Sequence, residues 1–172
     1  MISLEIKKIV ISEMVIMKVK IKAISDYYDP KFTASFREYF KELGISLKED
    51  SDVFDEITKS ALDEGTKTLV CLKSNSIIGF VMYQEDIMKS KTAFFSERFV
   101  FLREVYIQKE YRNKGIGTEL LTKVFLYCKE IGVSKILLTT KSAFEFYSNQ
   151  GFYIDSSITA INNMQVMVKD IN

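Results

Sequence analysis

The chain has 172 residues, 47% of them apolar and 27% charged, with a formal net charge of +1. That length suits one ordinary domain with a real core. The near-zero charge excludes a bulk electrostatic attraction to nucleic acid or an anionic membrane, and the absence of histidine removes the usual neutral-pH base and argues against a zinc centre.

Residues 1–13 read as a strand, a short helix or a leader. From Met17 to Ala23, apolar residues alternate with Lys18, Lys20 and Lys22, the period of a half-buried strand with a solvated lysine face. Asp29-Pro30 opens a helix, along which Phe32, Phe36, Tyr39, Phe40 and Leu43 share one face as a core stripe; Gly44 closes it. A second helix is expected from about Asp52 to Glu64, with Val53, Phe54, Ile57 and Ala61 as its apolar stripe. Thr68–Lys73 and Ile77–Tyr83 read as strands joined through Ser74-Asn75-Ser76, hairpin chemistry. Gln84 to Arg98 is long for a hairpin connection. It reads either as a lid or acceptor-side loop or as two longer strands with a frayed turn.

Phe99 to Ile107 is rich in aromatic and β-branched residues and predicts a strand. A charged turn follows, then a helix from Gly117 to Ile131 with a glycine-rich start. Lys135 to Thr140 (KILLTT) suits a strand buried on both faces. Ser142 is expected to cap a short helix, Ala143 to Asn149. Strands are expected at Phe152–Ser157 and Met164–Lys169, with Asn162-Asn163 as the turn between them. Cys71 and Cys128 lie in apolar segments and read as buried thiols. No apolar run reaches membrane-spanning length, and the lysine-rich start lacks a signal peptide's apolar core, so a cytoplasmic protein is expected.

The chemistry concentrates between Leu102 and Leu121. Strand, glycine-rich loop and helix start together aim backbone N–H groups and the positive end of a helix dipole at an anion. Arg112 and Lys114 add charge beside the loop. There is no G-K-[ST] triplet and no G-x-G-x-x-G, because position 120 is Leu, so two nucleotide-binding motifs are excluded. What stands is Arg112-Asn113-Lys114-Gly115-Ile116-Gly117 directly after Val105-Tyr106-Ile107.

This pattern resembles the coenzyme A pyrophosphate loop of the GCN5-related N-acetyltransferases (GNAT family). A second motif, Ala143-Phe144-Glu145-Phe146-Tyr147-Ser148-Asn149-Gln150-Gly151-Phe152, looks like that family's C-terminal signature A-x-x-[FL]-Y-x-x-x-G-F. The resemblance implies one α/β domain over residues 1–172, with 1–13 as a possible extra element. Its central sheet would be mixed but mostly antiparallel, with helices on both faces and a splayed central strand pair. It implies transfer of an acetyl group from acetyl-coenzyme A to a primary amine, with no metal. Val105, Tyr106 and Ile107 would lie along the pantetheine arm, and Asn113, Lys114, Gly115, Ile116, Gly117 and Thr118, with Arg112 nearby, would hold the pyrophosphate.

Tyr147 matches the family tyrosine that protonates the departing thiolate, its phenol suited to that task. A proton must also leave the amine, and Glu104, a charge amid VFLREVYI, is the candidate base; the bland reading pairs it with Arg103 or Lys109 or turns it to solvent. Glu85, Asp86 and Glu97 are weaker candidates. Many family members carry Asn where this chain has Thr140. Gly44 to Ser51 would be a candidate specificity loop. The acceptor would be a small-molecule or peptide amine, with no nucleic-acid or membrane partner, and the protein a monomer or homodimer. The alternative is a non-catalytic acyl-coenzyme A-binding module.

Overall fold

The computed structural model describes residues 19–45, 55–56, 58–60, 65–89, 96–160 and 162–172. The expected N-terminal element, residues 46–51 of the expected specificity loop and the greater part of the second helix fall outside that set; 55–56 and 58–60 are helical as expected.

Among the described residues, seven strands form one open sheet in the order β1 (Lys20–Ile24), β2 (Lys67–Lys73), β3 (Ser76–Lys89), β4 (Ser96–Ile107), β5 (Lys135–Thr140), β7 (Gln165–Asp170), β6 (Tyr153–Ile154). Every neighbouring pair is antiparallel except β4 and β5. A parallel pair needs a crossover, and helix α2 (Ile116–Glu130) supplies it. Helix α1 (Pro30–Glu42) lies between β1 and β2 in sequence, and α3 (Phe144–Asn149) follows β5. The mixed, mostly antiparallel sheet with helices on both faces is the expected architecture.

Local chemistry explains the elements. Asp29 caps α1 by accepting from the backbone N–H groups of Lys31 and Phe32, at 2.8 and 3.2 Å. Ser74 and Asn75 both take positive φ, 47° and 68°, the backbone that a two-residue hairpin requires. The β3–β4 hairpin pairs out to Lys89 opposite Ser96. Residues 84–89 and 96–98 are therefore strand, as in the reading of two longer strands, and residues 90–95 of that segment lie outside the described residues. Two boundaries move. The strand expected to reach Ser157 ends at Ile154, because the Asp155 carboxylate turns the chain by accepting from the Ser157 N–H and hydroxyl at 2.9 and 2.5 Å. Ser142 does not cap α3; the Thr140 hydroxyl oxygen accepts from the N–H groups of Ser142 and Ala143, at 3.4 and 3.2 Å.

The alternation of the strands sorts the core into layers. Val81, Val100, Leu102, Ile136, Leu138 and Met167 meet Leu120, Leu121 and Val124 of α2 on one face. Val70, Phe80, Met82 and Tyr106 meet Tyr27, Phe32 and Phe36 of the α1 region on the other. Leu137, Val166 and Val168 form a third cluster beneath Ile158. Ile136, Leu137 and Leu138 are thus buried on both faces of β5, as its composition predicts. Cys71 and Cys128 are free, buried thiols in the α2 core.

Candidate active site

The site begins where β4 and β5 part. They pair only at Val100, Phe101 and Leu102, opposite Ile136, Leu137 and Leu138. Beyond that point β4 follows β3 and β5 follows β7, which is the splay that the resemblance implies. A bulge falls at the same place: Leu102 pairs with Tyr83 and Glu104 with Met82, leaving Arg103 as the extra residue. Leu102 packs in the α2 core, whereas Tyr106, past the bulge, packs in the α1 core. The bulge therefore carries Glu104 onto the α1 side.

The pairing phase identifies which backbone groups face the gap. The Gln108 N–H donates to the Ile78 carbonyl at 2.9 Å. Counting back along an antiparallel ladder, Tyr106 and Glu104 bond to β3, and Val105 and Ile107 turn their N–H and C=O groups to the open edge. The Ile107 carbonyl is already used, accepting from Arg112 Nε at 2.8 Å.

A cleft of about 740 Å³ follows this edge, lined by Val105, Tyr106, Ile107, Arg112, Asn113, Gly115, Ile116, Gly117, Thr118 and Tyr147, and by Tyr39 and Glu42 from α1. Its loop has left-handed backbone at Asn113 (φ 58°) and Gly115 (φ 80°). Gly115 is the N-cap of α2, so the first N–H groups of that helix open beside the cleft. Arg112 pairs with Glu42 of α1 and stands 5.9 Å from the Tyr106 ring; Tyr106 Oη donates to Glu42 at 3.1 Å. Although burial works against it, hydrogen bonds from Arg112 and Tyr106 and the charges of Arg112 and Lys109 hold the Glu42 carboxyl below its ordinary range. Lys114 is not among the lining residues. Its ammonium donates to the Glu110 carbonyl at 2.7 Å and sits 5.4 Å from the Tyr111 ring.

Tyr147 is buried, with edge-on contacts to Phe146 and Phe152 at 5.1 and 5.6 Å. Its hydroxyl has no hydrogen-bond partner among the described residues. Burial, then the charge of Glu104, push its phenol up to about 12. Glu104 lines a second cleft of about 620 Å³ with Gln84, Glu85, Asp86, Phe101, Arg103, Thr139 and Asn162. Arg103 donates there to Gln84 Oε1 at 2.8 Å. Burial raises the Glu104 carboxyl above its ordinary range, against the pull of a hydrogen bond from Tyr39 and the charge of Arg103.

Tyr39 is the residue that sequence reasoning assigned to the core alone. Its hydroxyl donates to Glu104 Oε2, so Glu104 is matched by a tyrosine of α1 rather than by Lys109 or bulk solvent. Glu85 turns toward α2, where Tyr127, Arg98 and Lys67 engage it, and Glu97 pairs with Lys135 at 3.0 Å. Asp86 lines the second cleft. One signal for the bulge is visible in the sequence: the apolar phase slips between Val100-x-Leu102 and Val105-x-Ile107. Among the described residues no group of three His, Cys, Asp or Glu side chains is arranged to hold a metal, and no helix is long and apolar enough to cross a membrane.

The model of the Acetyltransferase (GNAT) family matches residues 21–152. An uncharacterised N-acetyltransferase of Methanocaldococcus jannaschii is 30% identical over 134 residues, covering 73% of this chain and 48% of that protein. The chain thus spans about half the length of the curated relative it matches. Two solved structures share the fold at low identity. NAA60 of Arabidopsis thaliana, in complex with a bisubstrate analogue, has a TM-score of 0.67 at 15% identity over 90% of this chain and 99% of that one. The PaiA N-acetyltransferase of Thermoplasma acidophilum, in complex with coenzyme A, has a TM-score of 0.65 at 19% identity over the same shares, 90% and 99%.

Proposed function

The chain belongs to the GNAT acetyltransferase family, and from that premise we propose that it moves an acetyl group from acetyl-coenzyme A directly to a primary amine. The observation that carries the reading is the parting of β4 from β5 after Leu102 and Leu138. It leaves the backbone of Val105 and Ile107 open beside a loop of N–H groups, with Tyr147 in the same cleft.

The residues fit the cofactor. An extended amide-bearing arm would add to the open edge of β4 as a further strand, using the N–H and C=O of Val105 and the N–H of Ile107. A pyrophosphate would lie against the N–H groups from Asn113 to Thr118, where the left-handed backbone of Asn113 and Gly115 makes a concave nest. Arg112 would support it only by sharing its guanidinium with Glu42 or releasing that carboxylate. Acetyl-coenzyme A supplies the acyl group.

Two side chains manage the protons. A free alkyl amine has a pKa near ~10 and is mostly charged at neutral pH. Glu104, on the second cleft, takes a proton from it directly or through water. Its raised proton affinity makes it a better acceptor than an exposed carboxylate. Tyr147 stays protonated there and gives its proton to the departing sulfur.

Thermal unfolding with and without acetyl-coenzyme A tests the binding half, with coenzyme A and ATP as controls. At ~100 times its dissociation constant a ligand adds about 2.7 kcal/mol, which moves the midpoint by a few degrees. A shift with acetyl-coenzyme A and none with ATP is expected; no shift at millimolar ligand refutes the cofactor site. Turnover on a panel of amines then tests the transfer, and binding without turnover identifies a non-catalytic acyl-coenzyme A module.

A further inference from the structure

The two clefts meet at one hydrogen bond. The ring of Tyr39 lines the cleft of Val105, Ile107 and Tyr147, and its hydroxyl donates to Glu104 Oε2, whose side chain lines the other cleft. Glu104 Oε1 has no hydrogen-bond partner among the described residues. The tyrosine is held firmly from behind. Its ring packs with Phe36, Phe40, Phe80 and Tyr106 at centroid distances of 6.2, 5.2, 5.8 and 5.5 Å. Helix α1 thus presents one packed tyrosine hydroxyl to one oxygen of a half-buried carboxylate on the bulged strand.

We propose that Tyr39 is a positioning residue for Glu104: its hydroxyl fixes one carboxylate oxygen at the seam between the clefts, aims the other at the incoming amine and favours the charged, proton-accepting form. The proposal rests on Glu104 being the base. A neutral O–H donating to a carboxylate stabilises the ionised form and costs nothing when that form is the one at work. It also limits rotation of a side chain whose reactive oxygen must stay within hydrogen-bond reach of the amine. The other charged or titratable groups acting on Glu104 are Arg103 beside it on β4 and Tyr147 of α3 across the seam; Asp86 and Glu85 of β3 line the same cleft, the Glu85 carboxylate being held by Tyr127, Arg98 and Lys67. Arg103 is the cation acting on Glu104, and its guanidinium is tied to Gln84 and, at 3.4 Å, to Thr66. Removing the Tyr39 hydroxyl therefore leaves burial less opposed, and Glu104 holds its proton to higher pH.

Tyr39→Phe keeps the ring and its packing. The test is a pH titration of the full chain labelled with ¹³C at the glutamate carboxyl carbon, the Glu104 resonance being the one lost in Glu104→Gln. The expected result is a Glu104 midpoint higher by about one unit or more in Tyr39→Phe than in the parent, the size of a hydrogen bond to a charged group. An unchanged or lower midpoint overturns the proposal. The pH dependence of kcat/KM, measured with acetyl-coenzyme A and alkyl monoamines and diamines as acceptor probes, separates the two ideas. An acidic limb that moves with the Glu104 midpoint supports both. A midpoint that moves while the acidic limb stays refutes Glu104 as the base and leaves the Tyr39–Glu104 coupling standing.

Discussion

Gly117 of the glycine loop lies directly against the ring of Phe146 in α3: a Cβ built on Gly117 would sit 3.0 Å from Phe146 Cζ and 3.2 Å from Cε2. The two motifs that the sequence presents separately are packed on each other. Gly117 is small for the sake of its neighbour as well as for any ligand, and the start of α2 is set by the position of α3. A second tie runs between the same elements, Gln150 Nε2 donating to Thr118 Oγ1 at 3.1 Å.

The Gly117–Phe146 contact predicts a coupling. Gly117→Ala gains helix propensity, about 1 kcal/mol, and loses through crowding of the ring, typically 1–3 kcal/mol for an overpacked site. Phe146→Leu relieves the crowding. In a double-mutant cycle read by urea unfolding, Gly117→Ala is expected to be more favourable by about 1 kcal/mol in the Phe146→Leu background than in the parent. Simple additivity would show that the ring moves aside freely.

Tyr147→Phe removes a hydroxyl without a hydrogen-bond partner among the described residues and keeps the ring contacts to Phe146 and Phe152. Stability is expected to stay within about 0.5 kcal/mol of the parent, and the acetyl-coenzyme A dissociation constant is expected to change little. Turnover is expected to fall about 100-fold or more, the range of a lost general acid. Single-turnover kinetics beside a melting curve check both halves; unchanged turnover ends the acid role of Tyr147.

Glu104→Gln is expected to trade activity for stability. Folded Glu104 holds its proton more tightly than the unfolded chain does. Its contribution to stability is full below the unfolded value of about 4.3 and is lost as pH rises through the higher folded value. Gln never takes on the half-buried charge, so at pH values above the folded midpoint of Glu104 the variant should unfold at higher urea than the parent, and near pH 4 the gap should close. Turnover should fall at every pH. A variant less stable than the parent at pH 7 would mean that Tyr39 and Arg103 outweigh the cost of burying the charge.

Glu42→Gln releases Arg112 from its carboxylate partner. The pair is largely exposed, with side chains 41% and 36% accessible, so its loss should cost stability less than about 1 kcal/mol. Coenzyme A is expected to bind the variant a few-fold more tightly, because Arg112 no longer divides its guanidinium between Glu42 and a phosphate. That gain should shrink as salt is added. Calorimetric titration at two ionic strengths checks it; weaker binding would assign the Glu42–Arg112 pair to holding the loop in its binding shape.

Much of this molecule is legible in its sequence where the cause is local. Strand periodicity at Lys20–Ile24, the Pro30 helix start, the glycine-rich start of α2 and the apolar run Ile136–Leu138 each follow from residues within a few positions. The misread boundaries are also local contests. Asp155 competed with strand β6 for the backbone, and the Thr140 hydroxyl engages the N–H groups of Ser142 and Ala143 ahead of α3, which has no side-chain cap. Gln84–Arg98 had two readings because its charged residues suit either a loop or a pair of solvent-edged strands. Pairing between β3 and β4 decides it for residues 84–89 and 96–98.

By itself the sequence determined the order strand, glycine loop, helix, buried strand and short helix, and placed Glu104, Arg112 and Tyr147, the side chains of the proposed chemistry, along it. Tertiary structure alone decided what those residues do to one another. Tyr39 reaches Glu104 across 65 positions and Glu42 reaches Arg112 across 70. Such contacts depend on where the sheet places α1, on a one-residue bulge that turns Glu104 to the α1 side, and on the point where β4 leaves β5. The physical reason is range: propensity and capping act within a turn or two of the chain, whereas burial, register and the charge a neighbour places on a carboxylate arise only once distant segments are packed together.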